Sequence, residues 1–449
     1  MAKTKAKPKP LKLFRRRKGT TESFQITLVG KKILSSLGAP YEVPKQRSKT
    51  LSTPDKAKAA YDTMVAEKRK EGFRELGELD PPKVPIARDE RLEAAIRENR
   101  DDAGAYMVYA DWLLGQGSPL GEMIGLAQRN KQKAAEAIAK KIGMPDKDAA
   151  TVTWRHGLWK SLRLDNEIDW GDSEWDPVPF ARGLFGSPLC AVLEELRIGM
   201  LRWDFQDQPS VIAEAGRHAW AKDLRSLHVG DVDSDIDMDH HSIGDVGKAI
   251  AKSFPNLVAL RLHSGSQTWR GGRETFGIAG LELPKLESLV IETCALTGKR
   301  LKSLLAAKQP ALTSVELWFG EPNRDTIAKL ADIKPILDGT PYPKLRRLGL
   351  RNTALCTDLV RLLPAATLAK QLEAIDLSMG TFHDDDATEL VEGAAAFPAL
   401  RTLDVSDSYL TKAGIRTLKA GFPKVDVIAK EQRESYDDDE QRRYVSVGE

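Results

Sequence analysis

Residues 286–305 of the 449-residue chain read LESLVIETCALTGKRLKSLL, and the fold is decided by the pattern in this stretch. Leu289 and Ile291 are two residues apart, so in an extended strand their side chains point to the same side. From Gly298 onward the apolar residues follow helical intervals instead. The stretch therefore predicts one short strand followed by one helix.

The same apolar spacing recurs along the chain at intervals of 26 to 33 residues. The eight matches are Leu193/Leu196/Ile198, Leu224/Leu227/Val229, Leu257/Leu260/Leu262, Leu286/Leu289/Ile291, Leu312/Val315/Leu317, Leu345/Leu348/Leu350, Leu372/Ile375/Leu377 and Leu400/Leu403/Val405. Trp159/Leu162/Leu164 has this spacing too and is predicted to open the series. Such a period is typical of repeat arrays, in which each unit buries its apolar face against its neighbours.

The units resemble leucine-rich repeats, in which the pattern L-x-x-L-x-L is followed by Asn or Cys and then by Leu. Cys294 and Leu296 occupy those two positions after Ile291, so Cys294 is predicted to have a structural role inside the coil. With a helix after each strand, the units are similar to the ribonuclease-inhibitor-like class. The resemblance implies an α/β solenoid of about 9 repeats over residues 151–430, which binds a partner on its curved surface.

Strand alternation places the residue between the two buried positions, and the residues on either side of them, on the concave face of such a solenoid. The residues predicted to bind a protein partner there are Arg163, Arg197, His228, Arg261, His263, Glu292, Glu316, Trp318, Arg351, Asp376 and Asp404. The middle positions are basic in the first half of the array and acidic in the second, which favours a protein partner over a uniformly anionic one. Trp318 is predicted to anchor the interface. The alternative interpretation is an ordinary solvated charged surface.

Motifs of catalysis are weak in this sequence. It contains no Walker loop, no GxSxG and no HExxH. Cys356-Thr357-Asp358 resembles the Cys-x-Asp of bacterial ubiquitin ligases, but it lies within a repeat. We expect a non-enzymatic interaction scaffold with no catalytic residue and no cofactor.

An acidic stretch after Val229 is the one candidate for a metal site. Asp233, Asp235 and Asp237 alternate along it and offer hard oxygen ligands. Ile236 stands where an EF-hand loop requires glycine, so calcium is not specified. The three aspartates are weak metal candidates, and a solvated acidic loop is the alternative.

Residues 90–150 have helical apolar spacing and precede the repeats. Tyr109-Ala110-Asp111-Trp112-Leu113, followed by the segment GSPLGE at 117–122, resembles the repeat-companion motif that precedes leucine-rich repeats in some bacteria. Ser118 is the one departure from that motif. We expect a buried, hydrogen-bonded helix that packs on the first repeat as an N-terminal cap.

Residues 1–75 contain 20 Lys or Arg and 7 Asp or Glu, a net charge of +13 in a chain whose total is +3. The pattern predicts a disordered basic arm over residues 1–18, a hairpin from Phe24 and a helix after Thr53. The hairpin, loop and helix of residues 19–75 resemble the WGR domain, which often contacts DNA. Leu37-Gly38-Ala39 stand at the Trp-Gly-Arg positions, so contact by that Trp and Arg does not carry over.

The basic residues of this region support an alternative function, a regulatory protein that binds DNA or RNA through residues 1–75. The residues predicted to contact phosphates are Arg15, Arg16, Arg17, Lys18, Lys31, Lys32, Lys45, Arg47 and Lys49. A solubilising tail and a solvated basic rim are the competing interpretations.

The remaining segments complete the predicted organisation. Residues 76–89, which contain three prolines, are predicted to be a linker, and residues 431–449 a frayed charged tail. Three widely spaced cysteines argue against a disulfide framework. Without an apolar run of roughly 18 residues, the chain is expected to be a soluble cytoplasmic protein.

Overall fold

The structure is a computed structural model in which residues 8, 10–17, 20–38, 45–75, 86–144, 150–164, 177–201, 206–232, 242–265, 276–320, 328–434 and 443–448 are described. The chain divides into two units. The first comprises Met1–Lys83 and Lys140–Asp146, and the second comprises Val84–Ala139 and Lys147–Glu449.

The first unit is an antiparallel sheet with one helix. Its elements are β1 (Leu11–Arg17), β2 (Thr20–Val29), β3 (Lys32–Gly38), β4 (Lys45–Thr50) and α1 (Pro54–Lys70). The strands follow the order β1-β2-β3-β4. The predicted hairpin is confirmed, because Val29 pairs with Lys32 across the turn at Gly30 and Lys31. Gly30 has a φ of +55°, a conformation that glycine adopts without a Cβ clash.

Apolar side chains from β1, β2 and β3, together with Phe73 after α1, form the core of the first unit. Its buried members are Leu13, Phe24, Ile26, Ile33 and Phe73. The predicted apolar face of α1 covers them, and its members are Ala57, Ala60, Tyr61, Met64 and Val65. The helix begins where the sequence predicts, because the Thr53 side chain accepts a hydrogen bond from the Lys56 amide.

The prediction of a disordered arm over residues 1–18 is wrong for Leu11–Arg17, which forms β1. Leu13 is fully buried in the core, and all seven residues of β1 pair with β2. Phe14 and Arg74 also exchange backbone hydrogen bonds of 2.6 and 2.8 Å. Alternating apolar residues thus give the basic segment a buried side, and burial offsets the entropy of ordering it.

The second unit begins with helices that pack on the first repeats. The helices are α2 (Glu90–Glu98), α3 (Ala103–Gly115) and α4 (Pro119–Gln128). Helix α5 (Gln132–Ile142) follows along the chain and spans the boundary between the two units. Tyr109 is buried and donates a hydrogen bond of 2.6 Å to the fully buried Glu93 carboxylate. The buried, hydrogen-bonded helix is therefore confirmed. Within the motif Tyr109 is buried, whereas Trp112 is only half-buried and Asp111 is exposed.

An array of strands and helices follows. The strands are β5 (Ala150–Arg155), β6 (Leu158–Leu164), β7 (Glu195–Ile198), β8 (Ser226–Val229), β9 (Gly244–Asp245), β10 (Ala259–His263), β11 (Phe276–Gly277), β12 (Ser288–Glu292), β13 (Ser314–Gly320), β14 (Arg347–Thr353), β15 (Ala374–Asp376), β16 (Thr402–Asp404) and β17 (Asp426–Ile428). The helices are α6 (Pro177–Phe185), α7 (Gln208–Ala215), α8 (Gly247–Ser253), α9 (Gly298–Leu305), α10 (Leu330–Leu337), α11 (Cys356–Leu362), α12 (Asp384–Glu392) and α13 (Lys412–Gly421).

The main sheet has eleven strands in the order β17-β16-β15-β14-β13-β12-β10-β8-β7-β6-β5. All of its neighbouring pairs are parallel except β5 and β6, which form an antiparallel hairpin. Strands β9 and β11 pair separately. The eight predicted repeat strands and the opening strand at Leu162 are thus confirmed as neighbours in one long parallel sheet with intervening helices.

The register of the strands explains the repeated spacing. Leu196, Leu227, Leu260 and Leu289 are successive partners across the ladder, and each is buried. Cys294 is fully buried, as its predicted structural role requires. Each strand and helix thus buries its apolar side against the next repeat, which is the arrangement of a solenoid.

The tail after residue 430 is not frayed throughout, contrary to the prediction. Residues 443–448 return to the repeat array, where Val445 is 5% exposed and Val447 exchanges two hydrogen bonds with the Asn352 side chain. One buried valine and a set of hydrogen bonds to its backbone hold this segment.

The Arg97 side chain connects α2 to the first repeats. It is 2% exposed and donates hydrogen bonds of 2.8 Å to the Ala191 carbonyl oxygen and to the Asp223 carboxylate. We expect Arg97→Ala to lower the free energy of unfolding by about 2 kcal/mol, because the buried Ala191 carbonyl oxygen loses its hydrogen-bond donor and the buried arginine side chain leaves a cavity. Chemical denaturation measures this change. Arg91→Ala, at an exposed position of the same helix, is the control, and equal effects of the two substitutions would contradict the linking role.

Candidate functional site

The exposed side of the parallel sheet carries two rows of side chains, which we call the strand face. In the middle row, successive partners are Arg163, Arg197, His228, Arg261, Val290, Glu316, Gly349, Asp376 and Asp404. In the next row, His263 pairs with Glu292 and Trp318 pairs with Arg351. The structure therefore brings the predicted partner-binding residues together on one surface, in the predicted order.

Asp231 organises the first part of the strand face. It follows β8 and Gly230, and its side chain is 11% exposed. Its carboxylate accepts a hydrogen bond of 2.7 Å from Arg163 Nε and lies 3.2 Å from Arg197 Nε and 3.4 Å from His228 Nδ1. One shielded carboxylate thus serves three side chains of the middle row, and we call this group the Asp231 cluster.

Glu292 organises the next part. Its side chain is 3% exposed and accepts a hydrogen bond of 2.9 Å from Arg261 Nε, while His263 Nδ1 lies 3.2 Å from its carboxylate. The second nitrogen of the Arg261 fork also bonds to it, which makes the pair bidentate. Glu292 was predicted to be a contact residue on the open face, but it is buried beneath Arg261.

These two carboxylates change the predicted charge pattern. Arg197 and Arg261 are about half exposed, so their guanidinium groups reach the surface, but each already faces a carboxylate. In the predicted basic half of the strand face, two carboxylates therefore compensate part of the charge of three arginines, and the field is not continuously positive. The repeat spacing could not show this pairing, because Arg163, Arg197 and His228 lie within strands whereas Asp231 lies after β8.

Trp318 belongs to a third group, the Trp318 cluster. The guanidinium carbon of Arg351 lies 5.0 Å from the centre of the Trp318 ring, a cation–π geometry. Both side chains donate to the same oxygen of Glu316, from Trp318 Nε1 at 2.8 Å and from Arg351 Nη1 at 2.7 Å. Arg351 Nε also lies 3.4 Å from the Asp376 carboxylate. Trp318 is half-buried, and these contacts fix its orientation while part of it stays accessible.

Burial and ion pairing shift the pKa values of the strand face in different directions. Burial lowers the pKa of His228 to about 4, with Arg261 and Arg197 adding to the effect against the opposing charge of Asp231. Burial alone would raise the pKa of Glu292, but hydrogen bonds from His263 and Arg261 outweigh it and bring the value down to about 2. At neutral pH, His228 is therefore uncharged and Glu292 ionised.

The acidic end of the strand face is less exposed than the pattern predicts. Burial raises the pKa of Asp376 in spite of the nearby Arg351. Asp376 and Asp404 each accept a hydrogen bond of 2.9 Å from the backbone amide two residues later, at Ser378 and Ser406. These aspartates therefore also close turns at the ends of their strands.

The predicted phosphate-binding residues lie in the first unit. Lys31, Lys32, Lys45, Arg47 and Lys49 are all exposed. Arg15 differs, because it pairs with Glu22 and lies 4.5 Å from the centre of the Phe73 ring. Arg16 and Arg17 belong to β1, and Lys18 lies outside the described residues.

The weak metal candidates Asp233, Asp235 and Asp237 also lie outside the described residues. Within the described ranges, no group of three or more His, Cys, Asp and Glu side chains has the geometry to hold a metal ion. Nor does any helix in those ranges have the length and apolarity needed to cross a membrane.

Comparison with known proteins gives weak similarities to solved structures. No family model and no curated protein matches the chain. A crystal structure of a Bacteroides fragilis protein is similar at 16% identity and a TM-score of 0.46, covering 97% of this chain and 99% of that one. An internalin from Listeria monocytogenes is similar at 15% identity and a TM-score of 0.29, covering 57% of this chain and 71% of the other. Both TM-scores are too low to establish a shared fold, so the repeat architecture rests on the strand register above.

His228 makes the folded protein sensitive to acid. Its pKa is about 4 in the folded protein against an ordinary 6.5, so the unfolded chain binds a proton more readily between these values. The stability that neutral His228 contributes is fully present above about pH 6.5 and is lost as the pH falls toward 4. We expect this residue alone to remove roughly 2 kcal/mol of unfolding free energy between neutral pH and about pH 5.

Denaturant unfolding of the protein and of His228→Gln at both pH values measures this contribution. The variant should keep a smaller acid sensitivity, because burial also lowers the pKa values of His156 and His218. An unchanged pH dependence in His228→Gln would mean that His228 is not depressed as its surroundings require.

Proposed function

We propose that this protein is a non-enzymatic interaction scaffold that binds a protein partner on the strand face. The Trp318 cluster carries the proposal, because a half-buried indole is held in place there by Arg351 and Glu316 and its remaining surface is open to a partner. Oriented aromatic and arginine side chains of this kind supply most of the binding energy in protein interfaces. A fixed side chain also loses little conformational freedom on binding.

The charges around the cluster support a protein partner. The middle row offers arginines at one end and carboxylates at the other, and most of these charges are already paired. A paired surface attracts a polyanion such as nucleic acid only weakly, whereas a partner with both signs can match it residue by residue. The strand face therefore suits a protein with mixed charges.

The chemistry of the described nucleophiles supports a binding role over a catalytic one. Cys190, Cys294 and Cys356 are fully buried, and burial raises the pKa of Cys356 to about 12. A thiol that keeps its proton at neutral pH is a poor nucleophile. The proposed scaffold needs no cofactor. The ribonuclease-inhibitor-like repeat class, a degenerate WGR-like domain at residues 19–75 and a cytoplasmic location belong to the same proposal.

Substitution of Trp318 tests the proposal. The full-length protein is immobilised, and proteins captured from a bacterial extract are quantified by mass spectrometry for the parent and for each variant. Trp318→Ala should deplete the specific partner and speed its dissociation roughly 30-fold, since loss of a central aromatic anchor costs about 2 kcal/mol or more. Trp318→Phe, which keeps an aromatic ring, should retain most of the binding.

A charge reversal on the strand face should act differently. Arg197→Glu should slow association in a salt-dependent way, because charges at the rim of an interface mainly steer the encounter. Arg361→Glu, at an exposed position on α11, is the matched control. Capture that is insensitive to Trp318→Ala and to Arg197→Glu would place the partner on another surface.

A second candidate function is supported by the first unit. All six side chains of β4 are exposed, and alternation along the strand puts Lys45, Arg47 and Lys49 on one side of it. β4 is also an edge strand, so this basic side is accessible. Such a row suits weak, sequence-independent contact with the phosphates of DNA or RNA.

Salt-dependent binding distinguishes this candidate. The full chain should bind single- or double-stranded nucleic acid weakly at low salt, with an affinity that falls steeply as salt is added. Reversing Lys45, Arg47 and Lys49 to Glu should abolish the binding measured by fluorescence anisotropy. Reversing the exposed Lys56, Lys58 and Lys70 of α1 makes the same change in net charge, and equal loss in the two triple variants would rule out a localised site.

A further inference from the structure

A short C-terminal segment lies across the ends of three neighbouring strands. Residues 443–448, which we call the strap, contact Asn352 in β14, Met379 just after β15 and Asp407 just after β16. The terminal strands of the main sheet are β17 and β5, so the strap's partners, in and after β14, β15 and β16, do not belong to a terminal strand. The strap is therefore not placed to cap the sheet.

The array recognises the strap mainly through its backbone. The Asn352 side chain donates a hydrogen bond of 2.7 Å to the Val447 carbonyl oxygen and accepts one of 2.9 Å from the Val447 amide. The Tyr409 hydroxyl makes the same pair of bonds with the backbone of Tyr444, at 3.1 and 2.9 Å. The Ser446 amide donates a bond of 2.9 Å to the Met379 carbonyl oxygen. Bonds of this kind suit any extended peptide.

Two side chains of the strap add selectivity. Val445 is 5% exposed, and Ser446 Oγ donates a hydrogen bond to the Asp407 carboxylate. By contrast, the side chain of Tyr444 is exposed. The site therefore selects a small apolar residue followed by a hydroxyl residue and leaves the preceding side chain free.

The spacing of the repeats matches an extended chain. From Tyr444 to Val447 is three residues, or about 10 Å in an extended strand, and this segment passes from the β16 end to β14. Two steps between neighbouring strands also cover about 10 Å. An extended peptide that crosses the array at this level therefore stays in register with the repeats.

The backbone of the array is specialised at the crossing. Asn352, Met379 and Asp407 have φ values of +51°, +65° and +48°, a conformation that is uncommon outside glycine. Strained residues of this type concentrate at ligand clamps and other functional positions. The three residues recur at one level of successive repeats and form a continuous line of groups that bond to the strap, namely the side chains of Asn352 and Asp407 and the Met379 carbonyl oxygen.

We propose that this line is a binding groove for an extended segment of a partner protein, with a small apolar residue followed by serine or threonine, and that the strap occupies it in cis. The groove lies beside the strand face, and the peptide proposed to bind in the groove is distinct from the partner proposed for the strand face. Arg433, which donates to the Tyr444 carbonyl oxygen at 2.8 Å, holds the start of the strap close to the array. The strap is a built-in competitor, because a short tether keeps its effective concentration near the millimolar range.

The test compares binding of a fluorescent peptide to full-length variants. The probe is RYVSVG, the sequence of residues 443–448. Val445→Glu places a charge at a buried position and should release the strap from the groove. We expect this variant to bind the peptide roughly tenfold to a hundredfold more tightly than the parent, whose groove is occupied. Tyr444→Ala, which removes an exposed side chain and keeps the backbone bonds, should bind like the parent.

A second substitution identifies the groove. Asn352→Gly, added to Val445→Glu, removes the side chain that bonds to Val447, and glycine tolerates the positive φ at this position. We expect it to abolish peptide binding. Ser446→Asp should also release the strap, because the new carboxylate repels the Asp407 carboxylate. This variant replaces Val445→Glu in the experiment if Val445→Glu fails to fold.

The outcomes separate a groove from a purely structural tail. Tight peptide binding by a folded, strap-released variant, lost on Asn352→Gly, supports the proposal. Folded release variants that bind the peptide no better than the parent overturn it, and so does binding that survives Asn352→Gly. The exposed Arg361→Glu variant should bind the peptide like the parent. The release variants and Asn352→Gly lie outside the strand face, so failure of the strand-face proposal does not decide this test.

Discussion

The stacking of one repeat on the next is the constraint on which the rest of the second unit depends. A single strand and helix cannot bury its own apolar side, so Leu227 is sheltered only because Leu196 and Leu260 lie beside it in register. The parallel ladder sets both the spacing of neighbouring strands and the identity of the side chains that face solvent. Because register is shared from β6 to β17, polar residues far apart in sequence become neighbours on the strand face.

Two shielded carboxylates then determine the chemistry of that face. Asp231 and Glu292 lie low on the surface and hold the arginines above them in defined positions. A mobile arginine loses side-chain entropy when a partner immobilises it. Arginines that are already held by a carboxylate lose less entropy on binding. The Trp318 cluster follows the same principle with Glu316 as its shared acceptor. The strand face is thus preorganised by contacts made within the protein.

The strap shows a second use of the same ladder. Asn352, Met379 and Asp407 recur at one level of three repeats with the same backbone conformation, and each contributes a polar group that bonds to the strap. A repeat array presents hydrogen-bonding groups at the spacing of its strands. Three residues of an extended chain cover roughly the distance of two strand spacings, so the chain can bond to each repeat in turn. The strand face and the strap groove differ in what they recognise, since one presents side chains and the other captures backbone.

Much of the architecture follows from the sequence by itself, because apolar spacing is a local property. The positions of the repeat strands, the hairpin at Gly30 and the helix after Thr53 all rest on local rules of alternation, turn chemistry and capping. The rows of the strand face follow from the same alternation. Tertiary structure alone decided which of those charges are compensated, that Leu11–Arg17 is a strand, and that residues 443–448 return to β14. Asp231 is 68 residues from Arg163, and Val447 is 95 residues from Asn352, while β1 is fixed by its pairing with β2 and with Arg74. No periodicity within a segment specifies such contacts.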